Sequence, residues 1–336
     1  MKIPKKTLFS RYLVFDMNLD FLSGLKIKIT ENADLRRFTT FQLGGACQAV
    51  IECTDAATLQ ELAARLRAHR HHFLIMGFGS NILASDKGIP VIIVRYYSKK
   101  PVIQLDGNTL ATDAAAPLDD LARYAITRHL EGLTALSGIP GTVGGAIAGN
   151  AGAYGKQICD HLASVTALMP DNTVLTIPGG SIAFGYRDSP FKRNGAIILS
   201  AAFALTPAEN PSALHAKRRE IMAARLGKHG SWKKNPCAGS FFRNVEPTEK
   251  NGPRQAAGWF LEKSGAKDIR VNGAHAYPKH ANIITRDDGA SAQDVYDLTI
   301  RMAGLVKTAF NIELIREVRL LGFFDKAEGC NAEGFW

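Results

Sequence analysis

Two glycine-rich segments carry the residue types and spacing that could do chemistry. The first, Gly77-Phe78-Gly79-Ser80-Asn81, follows the short apolar run Phe73–Met76. Small residues let successive backbone N–H groups converge on an anion, and Ser80 and Asn81 add side-chain donors. The second runs Gly138-Ile139-Pro140-Gly141-Thr142-Val143-Gly144-Gly145 and continues through Asn150 and Gly152 to Gly155. Seven glycines lie between Gly138 and Gly155, and Pro140 stiffens the first turn. Neither segment ends in the Gly-Lys-Ser/Thr of a P-loop. Neither opens a helix as G-x-G-x-x-G after the first strand of a βαβ unit. Tight turns alone would explain one such loop. Two of them, about sixty residues apart and both rich in donors, point to a long ligand bearing a diphosphate.

Short elements must hold these loops. Val50–Glu52, Phe73–Met76 and Val91–Tyr96 read as strands, and Asp55–Ala68 places Ala57, Leu59, Leu62, Ala63 and Leu66 at helical spacing behind Thr54 as N-cap. Further strands are expected over Val102–Leu105, Val165–Met169, Thr173–Ile177 and Ala196–Leu205, with a helix from about Leu118 to Leu130. A Pro/Asn-rich shift at Thr206–Pro211 opens into a basic helix and marks a domain boundary. Later, Ser291 and Asp294 form a capping box for a helix whose apolar face is Val295, Leu298, Met302, Leu305 and Val306. Alternation over Ile312–Leu321 predicts a strand that puts Glu317 on one face with Glu313 and Arg319. The order is mixed α+β with no regular βαβ series, which argues against a doubly wound dinucleotide fold.

Composition removes several function classes. With 336 residues, 46% hydrophobic and 21% charged, the chain is a globular protein of two or three domains. No apolar run approaches the roughly 18–20 residues of a membrane span. The five cysteines, Cys47, Cys53, Cys159, Cys237 and Cys330, are odd in number and scattered, so no disulfide framework or zinc site is expected, and a reducing cytoplasm suits them. The net charge of +10 is uneven: eight Lys or Arg and one acid, Glu220, lie between Lys217 and Arg243. That patch suits a phosphorylated small molecule as well as a polyanion, and no nucleic-acid-binding signature accompanies it.

Six blocks then occur in order: GFGSNILASD, GIPGTVGGAIAGNAGAYG, FGYRDSPFK, CAGSFFRN, KHANIIT and REVRLLG. Together, from about Asn32 to Gly322, they resemble the UDP-N-acetylenolpyruvoylglucosamine reductase family. The resemblance implies an FAD-binding fold of the p-cresol methylhydroxylase type, in two α+β subdomains, plus a C-terminal α+β substrate domain. The corresponding segments are a leader over 1–25, FAD-binding subdomains over 26–100 and 101–210, a substrate-binding domain over 211–325 and a tail over 326–336. The implied chemistry is NADPH-dependent reduction of an enolpyruvyl ether to a lactyl ether through non-covalent FAD, on a nucleotide-sugar substrate in peptidoglycan precursor synthesis.

By position in the matching blocks, Arg187 corresponds to a catalytic arginine, Ser240 to a proposed proton donor and Glu317 to a catalytic glutamate. Asn244 matches a substrate ligand, Arg243 stands where Lys is common, and Lys228, with Lys233, could meet the nucleotide diphosphate. The glycine loops, with Asn150 and Gly152, would hold the cofactor. Departures fall near the substrate: Cys237 replaces a Ser, Val245 a Pro, and Ala114-Ala115-Ala116 stands where glycine is more common. The alternatives are another FAD-dependent oxidoreductase on the same fold, or a flavin-binding module without catalysis. Loss of Ser240, Glu317 or Arg187 would favour those, and all three are present.

Overall fold

The structure, a computed structural model, describes residues 18–247 and 252–325. Its first layer contains β1 (Lys28–Glu31), β2 (Cys47–Cys53), α1 (Ala56–Ala68), β3 (Phe73–Met76), β4 (Ile82–Ala84) and β5 (Ile89–Tyr96). Four of the strands form a sheet in the order β1-β2-β5-β3, parallel except for β1. β2 and β5 are covered on both faces, which is why they read as apolar runs without alternation. One βαβ crossover is therefore present, β2-α1-β3, although no series of them follows. Asp55, not Thr54, caps α1: its backbone is extended and its carboxylate accepts the Thr58 N–H.

The second layer is a five-stranded antiparallel sheet. Its strands are β6 (Ile103–Asp106), β7 (Thr109–Asp113), Leu162–Leu168, Val174–Pro178 and Ile197–Ala204. Two helices stand against it, α2 (Leu118–Thr127) and α3 (Val143–Gly149). α2 stops short of Leu130 because the chain turns at His129, whose φ is 58°. A single apolar cluster joins the two sheets, running from Ala49 and Ile51 through Leu121 and Ile147 to Val165 and Phe203.

The last third begins with α4 (Pro211–His229), started by Pro211 in its first turn and an Asn210 cap on the Ala213 N–H. α5 (Ala257–Lys263) and α6 (Ala292–Phe310) pack with a sheet of Arg270–Val271, Ala274–Tyr277 and His280–Arg286. The Ser291/Asp294 capping box is present. Of the expected α6 face, Val295, Leu298, Met302 and Val306 are buried, whereas Leu305 is exposed. The same core takes in Phe41, Leu43 and Leu83 from the first hundred residues, so the two ends of the chain share an interior.

The expected strand over Ile312–Leu321 is only Arg319–Leu321, paired parallel to β4. The residues before it follow 241–243 irregularly: the Arg243 N–H donates to the Ile315 carbonyl (2.8 Å) and the Glu317 N–H to that of Phe241 (2.8 Å). Glu313 and Ile315 (61% exposed) do face outward and Val318 inward, as the alternation expects, but the stretch before Arg319 is not a regular strand. Of the segment read as a leader, residues 1–17 lie outside the described residues, while Leu19 and Leu22 are buried and Phe21 stacks on His69 beside α1. The tail 326–336 also lies outside them. Among the described residues, no helix is long and apolar enough to cross a membrane, and no group of His, Cys, Asp and Glu could hold a metal ion.

Candidate active site

The two glycine loops, distant in sequence, meet. The Ser80 hydroxyl donates to the Pro140 carbonyl at 2.7 Å. Gly77 lies so close to Thr142 that a Cβ there would sit 2.2 Å from the Thr142 hydroxyl oxygen. Gly79 has φ +67°, and a Cβ on it would meet the Phe38 carbonyl at 2.4 Å. Both positions therefore require glycine, one for closeness and one for conformation as well. Between the loops lies a cleft lined by Gly77, Thr142, Gly144 and Gly145 with Tyr96 and Phe191 behind.

The available donors are unevenly placed. The first amides of α3 are already taken: Val143 N–H by the Ala116 carbonyl, Gly144 N–H by that of Ala114, and Gly145 N–H by the Thr142 hydroxyl. By contrast, the Phe78, Gly79 and Ser80 N–H groups have no acceptor among the described residues. The first loop is thus the open nest for an anion. Phe78 also meets Trp232 edge-on, with ring centroids 5.5 Å apart. On the second loop, Gly138 has φ +73° and its N–H donates to Asp119, while the loop carries Ile139 and Pro140 across to Ser80 and Gly141 toward α2.

Two arginines of the basic helix α4 turn inward onto the second loop. Arg218 grips Asp119 through two bonds (2.7 and 2.8 Å), and the Arg225 Nε donates to the Ser137 carbonyl (2.7 Å). Burial would raise the Asp119 carboxyl, but the Arg218 and Gly138 bonds more than offset it and hold it below its ordinary range. α4 is thereby clamped across the second loop.

Each glycine loop also holds one half of an ion pair. From the first loop, the Asn81 amide donates to the Glu317 carbonyl (3.1 Å) and the Asn81 carbonyl accepts the Arg319 N–H (3.0 Å). From the second, the carbonyls of Asn150 (3.4 Å) and Gly152 (2.6 Å) accept from the Arg187 guanidinium. Its Nε donates to Glu317 Oε1 at 3.1 Å, with both side chains 20% exposed. Burial pushes the Glu317 carboxyl above its ordinary value, and the Arg187, Arg243 and Lys192 charges pull against that without cancelling it. Ser240 follows Gly239 (φ +75°) and bridges Ile283, one residue before the Phe241 carbonyl that takes the Glu317 N–H. The Arg187 and Glu317 side chains, 130 residues apart, therefore meet, and the Ser240 backbone lies one residue from the Phe241 carbonyl that holds Glu317.

A profile described as "FAD binding domain" matches residues 47–178, and one described as "UDP-N-acetylenolpyruvoylglucosamine reductase, C-terminal domain" matches 231–321. The UDP-N-acetylenolpyruvoylglucosamine reductase of Synechococcus sp. is 32% identical over 92% of this chain and 96% of its own. The chain belongs to the UDP-N-acetylenolpyruvoylglucosamine reductase family. That of Trichormus variabilis is 33% identical over 91% of this chain and 90% of its own. The crystal structure of the Thermus caldophilus reductase superposes with a TM-score of 0.71 at 26% identity, covering 88% of this chain and 99% of that one.

As a member of the reductase family, this chain has the FAD-binding fold plus the reductase C-terminal domain and is an FAD-dependent oxidoreductase. The close approaches at Gly77 and Gly79, the open amides of the first loop and the apolar cleft behind them fit FAD. Other residues of the sequence reading take less direct positions. The Asn150 side chain donates to Gln157 (2.9 Å) and to the Gly185 carbonyl (2.8 Å), leaving its buried Oδ1 without a partner among the described residues. The Asn244 oxygen accepts the Ala257 N–H at the start of α5 (3.3 Å), and Lys228 is exposed on α4. Arg243 has a buried Nε with no hydrogen-bond partner among the described residues. Asn282 holds both backbone groups of Phe242 (2.9 and 2.8 Å) and so fixes the Ser240 strand. Sequence reasoning missed Asp119 and Lys192. Asp119 gave no signal before α4 was seen to lie over the loop. Lys192 gave one, five residues after Arg187 in FGYRDSPFK.

Proposed function

We propose that this chain catalyses the NADPH-dependent reduction of UDP-N-acetylglucosamine enolpyruvate to UDP-N-acetylmuramate, a step of peptidoglycan precursor synthesis. The observation that carries this reading is the Arg187–Glu317 pair, held jointly by the two glycine loops beside Ser240. FAD, when bound, supplies the hydride transfer that no side chain can perform. Hydride arriving at the terminal vinyl carbon leaves negative charge on the adjacent carbon, delocalised into the substrate carboxylate. The planar Arg187 guanidinium, kept in place by two carbonyls and Glu317, faces that charge. Arg243, whose Nε is buried without a hydrogen-bond partner among the described residues, offers a second cation to the carboxylate or the phosphates.

Ser240 holds the proton that completes the reaction at its Oγ. A hydroxyl is a poor acid, so it needs a strongly basic carbon and a fixed position. Asn282 fixes the strand, and the Phe241 carbonyl bond ties it to Glu317. With its carboxyl raised by burial, Glu317 accepts and returns a proton more readily than an exposed glutamate. The FAD-loaded protein is incubated with NADPH and the enolpyruvyl nucleotide sugar, and the product mass is read. A gain of two hydrogens on the sugar supports the reading. Consumption of NADPH with the sugar unchanged would replace it by another flavin oxidation–reduction on the same fold.

A further inference from the structure

Arg187 sits at an unusual place in the chain. Gly185 and Asp188 exchange backbone hydrogen bonds (3.0 and 3.2 Å), so Tyr186 and Arg187 form the tip of a tight turn. At its second tip position the backbone φ is 54°, a left-handed conformation that glycine or asparagine fills at least cost. An arginine there tends to relax unless the turn is held from outside. Arg254 lies over the ring of Tyr186 at 4.0 Å, and three groups hold the turn by hydrogen bonds. Asn150 donates to the Gly185 carbonyl (2.8 Å), Arg193 grips Asp188 (2.9 and 2.7 Å), and the Lys192 ammonium donates to the carbonyl of Arg187 itself at 2.5 Å.

The third of these goes beyond a turn clasp. Lys192 is carried by the turn Pro190–Lys192, whose preceding Ser189 is fully buried and bonded to the Ala148 carbonyl at the end of α3. Its side chain is only 17% exposed and lies 3.7 Å from Asp188 Oδ1. Glu317, Arg243 and Arg319 also act on it electrostatically. A lysine that spends a largely buried ammonium on one backbone carbonyl and the Asp188 carboxylate, beside Arg243 and Arg319, is held there for position.

We propose that Lys192 is a positioning residue for substrate reduction, fixing the strained Arg187 turn so that the guanidinium stays between the Glu317 carboxylate and the second glycine loop. The inference rests on the reductase reading above. Burial draws the Lys192 ammonium down to about 8, with Asp188 and Glu317 opposing the fall and Arg243 and Arg319 adding to it. Loss of that charge weakens its grip on the Arg187 carbonyl. Substrate reduction therefore declines above about pH 8, while flavin reduction by NADPH, which does not call on Arg187, stays level there.

The test uses the FAD-loaded full chain in rapid-mixing half-reactions with wild type, Lys192→Met and Lys192→Arg. Lys192→Met should leave flavin reduction by NADPH within about twofold and slow reoxidation by the enolpyruvyl nucleotide sugar by about ten- to a hundredfold. It should also abolish the alkaline decline and change equilibrium binding of the sugar to the oxidised protein less than about fivefold, within 1 kcal/mol of binding free energy. Lys192→Arg, which keeps a donor and a charge, should recover most of the rate and move the decline to higher pH. Wild-type reoxidation rates in both variants, or a wild-type profile flat through pH 8, would overturn the positioning role. Should Lys192→Met lose FAD, the wild-type profile and Lys192→Arg still decide. If wild type itself is not reoxidised by the sugar, the functional reading fails instead.

Discussion

Gly77→Ala isolates the contact on which the cleft depends. Gly77 has an ordinary negative φ, so alanine brings no backbone strain, and everything it does comes from the added methyl. That methyl would lie 2.2 Å from Thr142 Oγ1, 2.9 Å from its Cγ2 and 3.1 Å from its Cβ. Thr142 cannot simply turn away, because its Oγ1 accepts the Gly145 N–H and caps α3. Losing a cap costs about 1 kcal/mol, and driving the side chain off its rotamer about 0.5–1.5 kcal/mol more. The sum is about 1.5–2.5 kcal/mol, or a fall of about 3–10 °C in Tm at roughly 2–4 °C per kcal/mol. Because Thr142 also lines the cleft, FAD binding should weaken by at least about tenfold, the equivalent of 1.4 kcal/mol.

Thermal melting and flavin-fluorescence titration of apoprotein read both effects, and Thr142→Ala supplies the control. Thr142→Ala alone should lose about 1 kcal/mol with the cap. Adding Gly77→Ala to it should cost well under 1 kcal/mol further, because the hydroxyl and methyl that blocked the new side chain are gone. If Gly77→Ala is equally damaging in both backgrounds, the Thr142 clash is not the reason Gly77 is glycine. If it is harmless in wild type, the close meeting of the loops is wrong.

Ser240→Ala should leave flavin reduction by NADPH intact and slow substrate reduction by about 10²–10⁴-fold, the usual contribution of a placed proton donor; equal loss in both half-reactions would remove Ser240 from the proton step. Glu317→Gln should cripple substrate reduction without lowering Tm at neutral pH. The sign follows from its raised carboxyl: the charged form is disfavoured in the folded state, so its contribution to stability improves as pH falls through the folded value toward the unfolded one, and a neutral amide has that benefit at every pH. A lower Tm for Glu317→Gln at pH 7 would contradict it. Asp119→Asn should cost about 1 kcal/mol at neutral pH and loosen Gly138, seen as faster proteolysis of the second loop. Since the Asp119 carboxyl is lowered, the wild-type advantage is full above the unfolded value and shrinks as pH falls through the folded one; a difference that persists unchanged at pH 2 would refute that.

What the sequence disclosed was local. Glycine density announced both loops, the β-rich run Val91–Tyr96 announced the buried centre of the first sheet, and Ser291 with Asp294 announced α6. What it withheld was pairing across distance. Nothing in Asn81 or Gly152 says that one takes the backbone of Glu317 and the other the guanidinium of Arg187, 236 and 35 residues away. The alternation over Ile312–Leu321 misled for the same reason. A regular strand needs a regular neighbour, and most of this stretch finds only the short segment 241–243. Asn244 shows the reverse limit, a residue whose position matches a ligand while its oxygen is engaged at the start of α5. Arg187 was placed by its motif alone, and the strain of its turn was invisible until its φ was known.

The measurement that tests the account most directly is an anaerobic absorbance titration of the FAD-loaded protein, NADPH first and the enolpyruvyl nucleotide sugar second. The account predicts that the oxidised flavin band bleaches with NADPH and returns on addition of the sugar. It also predicts that Arg187→Ala bleaches normally and fails to recover, because the pair held by the two glycine loops serves the second half-reaction. Bleaching in wild type with no recovery would contradict the assigned substrate. Recovery in Arg187→Ala at the wild-type rate would contradict the site.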